Sequence, residues 1–123
     1  MMSEKRKLVV VVTRGLDDER SSVALSVANS GINSGLEVTM FLVSAGVDLA
    51  RRGATAVAQL NPLDPPLGEM LDNFMASGGN ILACPPCAKV RGYGQNDLVE
   101  GVRVTSSTAM HELIGQGAAT LSF

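Results

Sequence analysis

Cys84-Pro85-Pro86-Cys87 contains both cysteines of the chain, and no other stretch offers chemistry so directly. The apolar run Ile81-Leu82-Ala83 leads into it. Two consecutive prolines cannot continue a strand ladder, but they suit a first helical turn, where the missing N–H has no partner in any case. The spacing therefore predicts a strand ending at Ala83, Cys84 as the N-cap of a helix, and Cys87 in its first turn, close to the same face. A helix N-terminus favours an anion, and a thiolate is one. Free cysteine ionises at about 8.5, and helix N-termini or nearby cations lower that value. Lys89 and Arg91 follow within the next turn, so Cys84 is expected to be the reactive thiol. The competing reading is a packed, inert pair. A structural zinc site needs about four ligands, and two cysteines with a single histidine do not supply them, so no metal or other cofactor is expected.

Other reactive types are sparse. His111, the only histidine, is a candidate base for the thiols or simply a packed or surface residue. Arg51-Arg52 closes a short predicted helix, where cations suit the dipole, and is either an anion site or a solvated helix end. Ser21-Ser22 and Ser106-Ser107 lie outside any G-x-S-x-G context, and neither G-x-G-x-x-G nor a P-loop is present.

The scaffold for these residues is bounded by composition. A chain of 123 residues is read as one domain, residues 1–123, with a flexible tail over 1–7. Apolar residues make up 46% and aromatics only 3%, so the core must be built from Val, Leu, Ala, Ile and Met. Net charge is −2, and no basic cluster exceeds Lys5-Arg6-Lys7, which argues against nucleic-acid binding. No apolar run approaches the roughly 18 residues of a membrane helix, and no signal peptide is recognised. A cytoplasmic location is expected, where a CxxC pair is more often catalytic, redox-active or metal-binding than a structural staple.

Leu8-Val9-Val10-Val11-Val12 reads as a strand buried on both faces of a parallel sheet. Asp17 and Asp18 open a helix that Gly31 or Gly35 closes. A second strand covers Leu36 to Val43, and Ser44-Ala45-Gly46-Val47 turns into a short helix over Asp48 to Arg52. Ala54 to Pro66, with three prolines, is a long irregular connection and a candidate lid over the thiols. Leu67 to Ser77 is a helix whose Leu and Met stripe faces the core, and Asn80 to Ala83 is the third strand. Gly92-Tyr93-Gly94 breaks the CPPC helix, and Asn96 to Val99 forms a turn. Val102 to Val104 is the fourth strand, Ser106-Ser107 caps a helix through His111 and Leu113, and Ala118 to Phe123 is the fifth strand. Alternating strands and helices predict a parallel sheet with helices on both faces. Ligands bind such sheets at the carboxyl ends of the strands. Arg14, Gly46, Pro85, Arg91 and Ser106 belong to the tips there and are candidate lining residues around Cys84 and Cys87, though each tip is also an ordinary turn or cap.

The β-branched first strand, Phe41-Leu42-Val43-Ser44-Ala45-Gly46-Val47, the Gly79-to-Cys84 strand, Cys84 to Gly92 and the closing Leu113 to Phe123 together resemble the DsrE/DsrF-like family over nearly the whole chain. The resemblance implies a three-layer α/β/α domain with a five-stranded, mainly parallel sheet, assembled as a trimer, hexamer or related homo-oligomer. It also implies sulfur relay, in which the cysteine before the Arg-Gly helix takes up sulfane sulfur as a persulfide and passes it on. By spacing to Arg91-Gly92, Cys84 matches that carrier position, while Cys87 is an addition found in some members. Three functions follow: a sulfur carrier or sulfurtransferase exchanging sulfur with donor and acceptor proteins or small sulfur compounds, a small CxxC thiol-disulfide oxidoreductase, and a noncatalytic oligomeric scaffold.

Overall fold

The computed structural model describes residues 5–123. The chain runs β1 (Lys7–Val12), α1 (Glu19–Asn33), β2 (Glu37–Leu42), α2 (Leu67–Ala76), β3 (Asn80–Ala83), α3 (Pro85–Val90), β4 (Arg103–Val104), α4 (Ser107–Gly115) and β5 (Ala119–Ser122), with short 3-10 turns at Ser44–Ala50, Ala54–Val57 and Gln95–Asp97. The five strands form one sheet in the order β4-β3-β2-β1-β5, and each neighbouring pair is parallel. The sheet is thus wholly parallel, where the sequence led us to expect a mainly parallel one. The strand opens at Lys7, the last residue assigned to the tail; residues 1–4 lie outside the described residues.

The topology follows from the handedness of parallel crossovers. From β1 to β4 the chain steps in one direction, so α1, α2 and α3 lie on one face. The return from β4 to β5 reverses direction and puts α4 on the other. Packing matches this division: Leu8, Val10, Val12, Met40, Leu42 and Ile81 join α1 and α2 in the larger core, whereas Val9, Phe41 and Leu82 meet Ala109, Met110 and Leu113 of α4. The strand alternation of period two directs successive residues to the two faces.

Local chemistry sets the element ends. The Asp18 carboxylate caps α1 by accepting from the Arg20 N–H at 2.9 Å. Gly35, at φ 89°, closes that helix. Gly31 does something else: it is buried inside α1, where a Cβ would stand 3.0 Å from Val38 and 3.2 Å from Leu8. The helix expected over Asp48 to Arg52 is a 3-10 turn that starts at Ser44, directly off β2. The cause is close approach. A Cβ on Gly46 would lie 2.2 Å from the Val12 carbonyl oxygen, so this turn is folded tightly onto the end of β1. The connection from Ala54 to Pro66 is fastened to α1 and α2: the buried Ser22 hydroxyl donates to the Asp64 carboxylate at 2.6 Å, and the Leu67 N–H donates to the Ala58 carbonyl at 2.9 Å. Among the described residues, no helix is long and apolar enough to cross a membrane.

Candidate functional site

Hydrogen bonds beyond the strand ends join the carboxyl edge of the sheet into a rim. The Val43 N–H donates to the Val12 carbonyl at 3.0 Å, Cys84 to Leu42 at 2.9 Å, Thr105 to Ala83 at 3.1 Å and Thr13 to Phe123 at 2.8 Å. Both cysteines are free and half-buried on this rim. Cys84 is the N-cap of α3, with proline in the first two helical positions, as the sequence led us to expect. Its sulfur lies 3.1 Å from that of Cys87.

The acidity of the pair runs opposite to the expectation for Cys84. Burial, then the neighbouring Cys87 sulfur, pushes the Cys84 thiol above its ordinary value. The neighbouring Cys84 thiol, 3.1 Å away, holds Cys87 below its own, helped by the Ser44 backbone N–H and the positive charge of Arg91. The helix argument fails for Cys84 because α3 has only six residues and because the Cys84 sulfur forms no capping hydrogen bond. The favourable setting belongs instead to Cys87, through Cys84 first and, to a lesser degree, the Ser44 N–H of the turn after β2. Ser44 has φ 52°, the one left-handed conformation of a non-glycine residue among the described residues, a strain of roughly 1 kcal/mol or more. At 3.1 Å the two sulfurs interact directly, so the first ionisation belongs to the pair, and Cys87 is the member whose charged form is favoured.

Around the thiols, Arg91 lies one helical turn beyond Cys87. Its Nη1 donates to the Cys87 carbonyl at 3.1 Å, and its Nε stands 3.7 Å from Asp48 Oδ1. The Tyr93 hydroxyl donates to the same carboxylate oxygen at 2.6 Å, and that bond raises the Tyr93 pKa. Asp48 and Tyr93 were not singled out from the sequence. Their signal was faint: the only tyrosine, set between two glycines just after Arg91, and an acid just past the rim turn.

The remaining expected lining residues divide. Pro85 and Arg91 flank the thiols on α3. Gly46 supports the rim turn from beneath through its contact with β1. The Ser106 hydroxyl is spent capping α4, accepting from the Thr108 N–H at 3.3 Å. Arg14 pairs with Asp18 at 3.8 Å. His111 is exposed on α4, away from the Ala109, Met110 and Leu113 positions that meet the sheet.

Sheet order and thiol placement define the class, a doubly wound α/β domain with a CxxC pair at its carboxyl edge. More specifically, the chain belongs to the DsrE/DsrF-like family, which it matches over residues 6–123. It is 34% identical to an uncharacterized protein of Methanopyrus kandleri, across 86% of this chain and 81% of that one. It is also 34% identical to an uncharacterized protein of Methanocaldococcus jannaschii, across 88% of this chain and 89% of that one. Among solved structures, the ychN protein of E. coli superposes with a TM-score of 0.78 at 20% identity, covering 98% of this chain and all of that one. A protein of unknown function from Methanobacterium thermoautotrophicum superposes with a TM-score of 0.74 at 21% identity, covering 97% of this chain and all of that one. At these identities the two structures establish the fold.

Proposed function

We propose that this protein is a sulfur carrier that accepts sulfane sulfur as a persulfide on Cys84 and relays it to a partner, with Cys87 as the second thiol. The observation that carries the reading is the pair of free sulfurs 3.1 Å apart on the rim of a DsrE/DsrF-like sheet, a family associated with sulfur relay. The asymmetry of the pair supplies a division of labour. Cys87, the more acidic member, ionises first, and as thiolate it accepts the proton of Cys84 across the 3.1 Å between the sulfurs. Once its proton has passed to Cys87, Cys84, at the position that resembles the family's carrier, is the thiolate that attacks the sulfane sulfur. A partner thiolate then attacks the outer sulfur and Cys84 leaves as thiolate, which is the relay; attack of Cys87 on the Cys84 sulfur instead closes a Cys84–Cys87 disulfide and expels the outer sulfur as hydrosulfide.

The same short separation supports a second reading, a small thiol-disulfide oxidoreductase. Intact mass after treatment of the reduced protein with polysulfide separates the two. A gain of one sulfur atom that needs Cys84, survives Cys87→Ser and is reversed by reductant supports the carrier. Loss of two hydrogens that needs both cysteines supports the oxidoreductase, and loading that persists in Cys84→Ser refutes the assignment of Cys84.

The proposal includes a cytoplasmic location, suited to free thiols, and a trimeric or hexameric homo-oligomer. In support of assembly, α4 buries none of its residues within the chain, β5 is exposed throughout, and Val23, Ile114 and Leu121 remain exposed. A monomer in light scattering at micromolar concentration counts against it.

A further inference from the structure

An open surface cavity of about 530 Å³, joined to the thiol site through Arg91, has walls that include Arg51, Arg52, Arg91, Tyr93, Asn96 and Asp97. Two stretches distant in sequence build it. An antiparallel bridge joins Arg51 to Leu98, the Val99 N–H donates to the Ala50 carbonyl at 2.8 Å, and the Arg52 N–H donates to the Asp97 carbonyl at 2.9 Å. The Arg52 side chain is oriented as well, its Nε donating to the Asn96 carbonyl at 2.9 Å.

Three arginines thus converge on one cavity in a chain of net charge −2. The nearby acids do not neutralise them all. Asp97 directs its carboxylate to the Gly94 N–H at 2.7 Å, and Asp48 is shared between Tyr93 and Arg91. Among the described residues, Arg51 and Arg52 form no ion pair within 4.0 Å. Forked, permanently charged guanidinium groups around a void match the oxygens of a tetrahedral or planar oxyanion. Arg91 belongs to both places. It walls the cavity, and one helical turn away it bonds to the Cys87 carbonyl.

We infer that this cavity binds the sulfonate end of a thiosulfonate-type sulfur donor, of which thiosulfate is the simplest, and presents its outer sulfur to the thiol pair. The inference rests on the sulfur-carrier reading for its chemistry. In the step, the thiolate of the pair attacks the outer, sulfane sulfur of thiosulfate and a new S–S bond forms. The bond between the sulfane and sulfonate sulfurs breaks, and its electron pair leaves with sulfite. Thiolate and thiosulfate thus become a cysteine persulfide anion and sulfite, and charge is conserved. The arginines that hold the sulfonate also face the charge that grows on the departing sulfite, the placement in which preorganised donors stabilise a transition state.

The test uses Arg51→Gln/Arg52→Gln, which leaves Arg91 and both cysteines in place. Thiosulfate binding is measured calorimetrically in a Cys84→Ser/Cys87→Ser background, where no sulfur can be transferred. Loading is measured in the chain with both thiols, from thiosulfate and, separately, from polysulfide, which has no sulfonate. The arginine substitutions are expected to weaken thiosulfate binding and slow thiosulfate loading by about tenfold or more, the loss of two charge-assisted contacts. Polysulfide loading should stay within about twofold. Equal losses with both donors, or no loss with thiosulfate, overturn the inference. Inorganic phosphate that binds as tightly as thiosulfate, and as dependently on the arginines, reassigns the cavity to a phosphate-bearing ligand and overturns the donor assignment. Arginine-dependent thiosulfate binding with no loading from any donor refutes the carrier reading and leaves the oxyanion site standing.

Discussion

Gly46→Ala tests whether the turn after β2 sets the chemistry of the thiols. A Cβ at this position would meet the Val12 carbonyl oxygen at 2.2 Å and its carbon at 2.9 Å, whereas real Cβ contacts essentially never fall below 3.0 Å. Because the obstacle is strand backbone, the turn must retreat by about 1 Å, an overpacking that typically costs about 1–3 kcal/mol. That same carbonyl accepts the Val43 N–H at 3.0 Å, and weakening this bond adds roughly 1 kcal/mol. The expected loss is therefore about 2–4 kcal/mol, or a fall in melting temperature of roughly 10 °C for a chain of this size. A second readout follows because the displaced turn carries the Ser44 N–H: alkylation of Cys87 should shift to higher pH. Gly115→Ala is the control, since nothing lies within 4 Å of its Cβ, and alanine in a helix is neutral or stabilising by about 0.5 kcal/mol. If Gly46→Ala melts within about 2 °C of the parent, the close-approach argument is wrong. A lower melting point with unchanged Cys87 alkylation would show that the turn supports the fold but does not set the thiol.

The direction of the thiol shifts predicts how single substitutions behave in the pH dependence of iodoacetamide labelling. Cys84→Ala removes the neighbouring thiol that lowers Cys87, so Cys87 labelling should move to higher pH, while in Cys87→Ala the half-buried Cys84 should still label above the ordinary thiol range. Ser22→Ala removes the hydroxyl that holds Asp64 at 2.6 Å; because Asp64 can rehydrate, the cost in urea unfolding should be only about 1–2 kcal/mol. Limited proteolysis between Asn61 and Pro66 should accelerate in the same variant, and unchanged cleavage would mean that this hydrogen bond does not fasten the connection.

Elements whose signal is local were legible in the sequence. The β-branched run of β1, the apolar stripe of α2 and the Pro-Pro pair after Cys84 each name their structure, and β3 falls on Asn80–Ala83 as read. Gly31 and Gly35 were equivalent as helix stops on the page; only the tertiary approach of Val38 and Leu8 to Gly31 makes the first a packing glycine. The acidity of the thiols was illegible for a related reason. A helix dipole can be inferred from spacing, but the Ser44 N–H acts on Cys87 from another strand's end, and Cys84 is packed against Val9, Phe41 and Leu82 of three different strands. The pairing of Asp48 with Tyr93 and Arg91 is likewise made by tertiary structure, between a turn after β2 and the end of α3.

The difference between the two sulfurs follows from the pleat of the sheet. Asn80, Leu82 and Cys84 alternate onto one face, so Cys84 packs with Val9, Phe41 and Leu82 on the side of α4. The chain then turns into α3, which the right-handed crossover places on the opposite face, and Cys87 packs against the larger core there. Two thiols separated by a Pro-Pro turn thus straddle the edge of a single sheet, still 3.1 Å apart. One meets apolar side chains that disfavour its charged form, and the other meets a backbone N–H and an arginine that favour it. A CxxC pair held wholly on one face would share one environment. A pair bent around the sheet edge meets two environments and so ionises unevenly, which is the asymmetry the proposed sulfur-carrier reading draws on.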